Sequence, residues 1–256
     1  MFRVLIFFSI LAGITGCTSP VQEDHPRNII LMIGDGMGSN HIYAGLVANR
    51  GSLNLEQCEY AGFQKTFSYN SDITDSGASG TALACGVKTN NGYIGMDPAG
   101  KDLKSILELA REKGMSTGLL ATSTITHATP AAFAAHNSDR GEYEEIALDI
   151  SRAGIDMIMG GGEYHFNRRE DGQNLLDSMS GTGYFISDRI EAIPDDHSGP
   201  VAILADTMAL PAATEGRGDI LVRATATAIK RLSGNPNGFF LMVEGSQIDW
   251  AAHRHD

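Results

Sequence analysis

Asn28-Ile29-Ile30-Leu31-Met32-Ile33-Gly34-Asp35-Gly36-Met37-Gly38 is an apolar run that stops at an aspartate set among glycines. One-sided strands alternate apolar and polar residues, so an uninterrupted run predicts a strand buried on both faces of a parallel sheet. The glycines let the backbone turn sharply and approach a ligand directly after it. In open α/β sheets ligands bind at the carboxyl ends of strands, which is where Asp35 falls. Taken alone, Asp35 reads equally well as a helix cap or a metal ligand.

The same pattern recurs along the chain. Residues 116–122, 156–159, 201–204 and 239–244 read as further strands, and 63–69 as another that leads into a serine-rich stretch. Between them, residues 40–49, 103–113, 142–153 and 218–232 read as helices. The helical spacing of Leu103, Ile106, Leu107 and Ala110 ends at Gly114 as a C-terminal cap. Ile220, Ala224, Ala228 and Leu232 form one stripe. A loop-rich section is expected from residue 163 to Gly199. The resulting fold class is an α/β sandwich, with a mostly parallel central sheet and helices on both faces. No linker or repeat divides residues 28–256.

With 256 residues, 42% hydrophobic and 20% charged, the chain can bury a sizeable core. A net charge of −12 without a Lys/Arg cluster argues against nucleic-acid binding. Arg3 precedes an apolar run from Val4 to Ile14, too short to span a bilayer. That run ends in Ile14-Thr15-Gly16-Cys17, which resembles a bacterial lipoprotein cleavage box. The expectation is a signal peptide over 1–16, a lipidated Cys17 as the only membrane attachment, and a polar tether over 17–27. An ordinary secretory signal is the alternative. Either predicts export from a bacterial cytoplasm, to the periplasm or an anchor on the outer membrane. Cys58 and Cys85 allow one disulfide at most.

Thr74-Asp75-Ser76-Gly77-Ala78-Ser79-Gly80-Thr81-Ala82-Leu83-Ala84-Cys85-Gly86-Val87-Lys88-Thr89 carries the first chemistry. A helix starting near Ser76 would set its hydroxyl among unpaired N–H groups at a positive dipole end, a setting suited to phosphate. A plain Asp/Ser cap on a buried helix explains the same residues. The strand at 116–122 delivers His127, Thr129 and Pro130 into a strand-to-helix loop, and Arg140 follows. Gly160-Gly161-Gly162 is weak evidence for a phosphate loop and better read as a tight turn. Finally, the strand ending at Glu244 leads to a helix that presents Asp249 and His253 on one face, four apart. Asp and neutral His at that spacing suit zinc, whereas an exposed ion pair is the unexceptional alternative.

The ordered set 28–38, 74–89, 127–132, Arg140 and 239–253 resembles the alkaline phosphatase family, and weaker similarity fills the gaps over nearly the whole chain. The resemblance implies a secreted phosphomonoesterase acting on small phosphomonoesters, with two zinc ions and one magnesium, and allows a homodimer. It makes Ser76 a nucleophile that becomes phosphoserine. Asp35 would bridge the second zinc and the magnesium, with Thr129 and Glu244 completing the magnesium side. Asp249 and His253 would hold the first zinc, and Arg140 would clamp two phosphate oxygens.

Four residues depart from the pattern. His127 stands where some members have Asp and would reach magnesium through water. Trp250 stands where some members have Lys, which removes a cation near the phosphate. Gly77 and Gly80 stand where Ala is common and would loosen the helix by roughly 1 kcal/mol each at most. Family members also take zinc ligands from beyond the position corresponding to Asp256, so a fragment of a longer phosphatase is expected, inefficient by itself. The rival readings are a related phosphodiesterase or sulfatase, against which Asp75-Ser76 speaks, and a non-catalytic, weakly metal-binding lipoprotein. Counting bound metal ions separates the last from the enzyme.

Overall fold

A computed structural model describes residues 26–255. The expected signal peptide and Cys17 lie outside the described residues. In chain order the elements are β1 (Asn28–Gly34), α1 (Ser39–Ala48), α2 (Ser76–Cys85), α3 (Ile106–Glu112), β2 (Ser116–Thr124), α4 (Ala128–Ala131), α5 (Tyr143–Arg152) and β3 (Met157–Gly161). There follow α6 (Tyr164–Asn167), α7 (Leu175–Gly181), β4 (Phe185–Ser187), β5 (Val201–Leu204), α8 (Ile220–Leu232), β6 (Phe239–Gly245) and α9 (Gln247–Arg254).

The strands form one parallel sheet in the order β1-β6-β2-β3-β5-β4. Successive side chains along a strand serve opposite faces, which builds two cores. Phe240 and Met242 of β6, Leu119 and Ala121 of β2, and Ile158 of β3 pack with Leu107, Ile146 and Ile150 of α3 and α5. Phe239, Leu241 and Val243, with Leu120, Met157 and Met159, pack on the other side against Ala224, Ala228 and Leu232 of α8. The four-residue stripe expected of α8 is what meets the sheet. This is the three-layer sandwich read from the sequence.

Three local expectations need correction. First, among the described residues β1 is the edge strand and is not buried on both faces: Ile29, Ile30 and Met32 are exposed, Met32 by 71%, while Leu31 and Ile33 pack partly on the core. Second, residues 63–69 form no strand. They run past the sheet with few backbone bonds, among them Tyr69 N–H to Thr89 O at 2.8 Å, and Phe63 is fully exposed. Third, the section expected as loop holds α6, α7 and β4. Asn174 caps α7 by accepting from Leu176 N–H at 3.0 Å. Cys58 and Cys85 are both free thiols.

The glycine triplet has a packing role. A Cβ on Gly161 would fall 1.7 Å from the Met208 carbonyl oxygen, and Gly162 turns the chain at φ +94°. The glycines of α2 act similarly: a Cβ on Gly80 would meet Ala132 and Thr129 at 3.2 Å, and one on Gly77 the Tyr93 carbonyl at 3.0 Å. Close approach to α4 and to residue 93 offsets the propensity loss expected of them.

Candidate active site

β1, β6 and β2 are adjacent, and their carboxyl ends converge. Ile33 is paired with Glu244 and Glu244 with Ala121, so Asp35 emerges two residues beyond the level of the Glu244 carboxylate. The loop after β2 brings His127 and Thr129 to the same end. Gly36 takes φ +61°, and a Cβ there would lie 2.5 Å from Asp249 Oδ1. Glycine is therefore needed both for the turn and for the approach of α9.

Asp75 caps α2, its carboxylate accepting from Ala78 N–H at 2.9 Å, so Ser76 is the first helical residue. The Ser76 hydroxyl donates to the Asp35 carboxylate, 3.3 Å from Oδ1 and 3.2 Å from Oδ2. Across from it, Arg140 Nη1 donates to Asp75 Oδ2 at 2.9 Å, and Nη2 lies 3.2 Å from His127 Nε2. Trp250 sets its ring edge-on to His127 at 5.6 Å. Asp35, Ser76, His127, Thr129, Arg140, Asp249, Trp250 and His253 all line one cleft of about 680 Å³. Glu244 lies beneath it, wholly buried.

The electrostatics of this end are unfavourable without a cation. Burial, and then repulsion from Asp249, holds the Asp35 carboxyl above its usual range, against the Ser76 hydrogen bond. Burial pushes Glu244 up to about 7, helped by the Asp35 charge and opposed by the Ser246 and nearby Thr129 hydroxyls. Ser246 Oγ donates to Glu244 Oε2 at 2.6 Å, but Oε1 is buried without a hydrogen-bond partner. An orphaned carboxylate oxygen facing a second raised carboxylate fits a hard cation held by oxygen ligands. Burial and then Arg140 pull His127 down to about 4, so it is a neutral acceptor toward the guanidinium.

Every site residue predicted from sequence except Glu244 lines the cleft, and Glu244 is buried near the end of β6, outside that lining. Asp249 and His253 face each other as predicted, Nε2 to Oδ1 at 3.5 Å. Among the described residues no three or more His, Cys, Asp or Glu side chains are grouped to hold a metal on their own. Sequence reasoning read Asp75 as a helix cap and missed that it joins α2 to Arg140; it gave no role to Ser246, which satisfies one oxygen of Glu244. An aspartate immediately before a candidate helix start is a capping signal. Nothing local marks Ser246.

The alkaline phosphatase family model matches residues 26–256. Alkaline phosphatase 4 of Bacillus subtilis is 43% identical over 247 residues, covering 90% of this chain and 53% of its own length. Alkaline phosphatase 3 of the same organism is 39% identical, covering 92% and 54%. Alkaline phosphatase from the Antarctic bacterium TAB5 superposes with a TM-score of 0.85 at 39% identity, over 90% of this chain and 68% of that one. A variant of the TAB5 protein is known with magnesium bound in its M3 site. The chain spans about half the length of the curated relatives it matches.

Proposed function

Since this chain belongs to the alkaline phosphatase family, we propose that it carries the nucleophile, the phosphate clamp and the magnesium side of a phosphomonoesterase site. The observation behind this is the placing of Ser76 at the positive end of α2, against Asp35 and in one cleft with Arg140. Ser76 Oγ attacks phosphorus, the ester P–O bond breaks, and the serine proton is lost as the leaving alcohol gains one. Water then attacks the phosphoserine, which releases inorganic phosphate and restores the hydroxyl.

Asp35 holds the serine proton through its hydrogen bond, which orients the oxygen before attack. Arg140 is fixed by Asp75 and His127, which leaves the rest of its planar fork for two phosphate oxygens. The end of α2 adds unpaired N–H groups where negative charge collects. Asp35, Thr129 and Glu244 would hold magnesium. Asp35 and Ser76 would contribute to one zinc, and Asp249 and His253 to the other. Such ions, when bound, lower the serine pKa and stabilise the attacking and leaving oxygens.

The test is acid-trapping of labelled phosphate on the metal-loaded protein. Ser76→Ala is expected to lose the trapped phosphate and most turnover, and trapping equal to the parent would move the nucleophile elsewhere. Magnesium calorimetry supplies a readout independent of turnover: Glu244→Gln is expected to weaken binding about 10-fold or more. An anchor at Cys17 belongs to the same proposal. It predicts partition of the protein into detergent with membranes, abolished by Cys17→Ser.

A further inference from the structure

The nucleophile and the phosphate clamp come from separate elements, and the Asp75–Arg140 pair that links them is 65 positions apart in sequence. The frame around that pair is built by a turn outside the cleft. In Asn90-Asn91-Gly92-Tyr93 the Tyr93 N–H returns to the Asn90 carbonyl at 3.1 Å. Gly92 adopts φ +89° with open space around it, so conformation, not crowding, calls for glycine at this third turn position.

Asn91 has both an acceptor and donors on one short side chain, and both ends are used. Its Oδ1 accepts from Asp75 N–H at 3.1 Å, and its Nδ2 donates to the Ile73 carbonyl at 2.9 Å. It therefore grips the chain on both sides of Thr74, immediately ahead of the nucleophile. The next residue takes the other two parts of the pair: Gly92 N–H donates to Asp75 Oδ2 at 3.0 Å, and the Gly92 carbonyl accepts from Arg140 N–H at 2.8 Å. Asp75 Oδ2 is then shared between that N–H and the Arg140 guanidinium. Farther along, Thr81 of α2 donates to the Tyr93 carbonyl at 3.3 Å.

We propose that Asn91 is a positioning residue, which with the Gly92 backbone fixes the start of α2 and the Arg140 guanidinium in a single frame. The assignment rests on the phosphatase reading above. Without the Asn91 amide the backbone of Asp75 is released, and the carboxylate that aims Arg140 is released with it. Small misplacements of this kind are costly to phosphoryl transfer, which depends chiefly on position and charge.

The experiment is a double-mutant cycle on the zinc- and magnesium-loaded protein, with an aryl phosphate as substrate. Asn91→Ala is expected to lower kcat/KM about 10-fold in the parent, but less than about 2-fold in an Arg140→Ala background. An equal loss in both backgrounds would overturn the proposal, because a general loosening would not depend on Arg140. Site-resolved hydrogen exchange provides the second measurement: the Asp75 amide should exchange at least about 10-fold faster in Asn91→Ala. Unchanged exchange also overturns the proposal. If the parent fails to turn over, acid-trapping of phosphate at Ser76 judges the phosphatase reading, and exchange alone decides whether the brace exists. If Asn91→Ala does not fold, Asn91→Leu serves, since it keeps the volume and loses both hydrogen-bonding ends; the Asp75 amide should again exchange faster, and protection equal to the parent would refute the role.

Discussion

Replacing Glu244 by glutamine should stabilise the protein once its metals are stripped. The carboxyl is completely buried, one oxygen has no partner, and its pKa is raised from 4.5 to about 7. A raised acid stabilises the fold below its unfolded value and loses that contribution as pH rises through the folded value. At about 1.4 kcal/mol per pH unit, the metal-free parent should lose about 3 kcal/mol between pH 4.5 and 7 through this group alone. Glutamine keeps a carbonyl acceptor for Ser246 and carries no charge, so its urea unfolding free energy should lack that loss. The assay is urea denaturation of chelator-treated parent and Glu244→Gln at pH 5 and pH 8. A magnesium titration should then restore the parent by about 2.7 kcal/mol at 100 times its dissociation constant, and the variant far less. If the variant were less stable than the chelator-treated parent at pH 8, the account of Glu244 as a costly buried carboxylate would be wrong.

Two other substitutions probe the framework around the site. Gly161→Ala drives a methyl group into the Met208 carbonyl, which also accepts from Gly162 N–H at 2.8 Å; it should cost about 3 kcal/mol, lowering the melting temperature by about 10 °C, and a fall below about 2 °C would contradict the packing. His165 is buried beside Tyr143, with ring centroids 4.9 Å apart, and its Nε2 has no partner. Burial lowers its pKa against an opposing pull from Glu144, so stability is lost as pH falls below about 6.5, where the unfolded chain takes up a proton and the fold does not. His165→Phe should flatten that part of a urea midpoint series from pH 8 to 5, and an unchanged slope would place the acid sensitivity elsewhere.

How far the sequence predicts the structure depends on whether a feature is encoded locally. The runs that became β2, β3, β5 and β6 were legible because strands buried on both faces admit no polar alternation. Asp35, Glu244 and His127 were legible because each follows such a run. The composition of β1 also matches a central strand, yet among the described strands it pairs with β6 alone. Residues 63–69 carry β-forming side chains but pair with none of the described strands, and composition cannot report that. The short α6 and α7 lack the length to display a helical period. Asn91-Gly92, a dipeptide that marks turns, carried no reading from sequence, because its meaning depends on Asp75 and Arg140, brought beside it only by the finished fold.

The strand order also bears on assembly. β6 sits between β1 and β2, yet it is the last of the described strands to be made. Until residues 239–245 emerge from the ribosome, the middle of the sheet is missing, and the two strands beside the gap have no native neighbour there. Their premature pairing with each other is the obvious misfolded competitor, and pairing across such sequence separations is slow. Because Glu244 arrives on that closing strand, the acidic centre forms only when the sheet does. Cation affinity would thus report, during synthesis, whether the chain has reached its native topology.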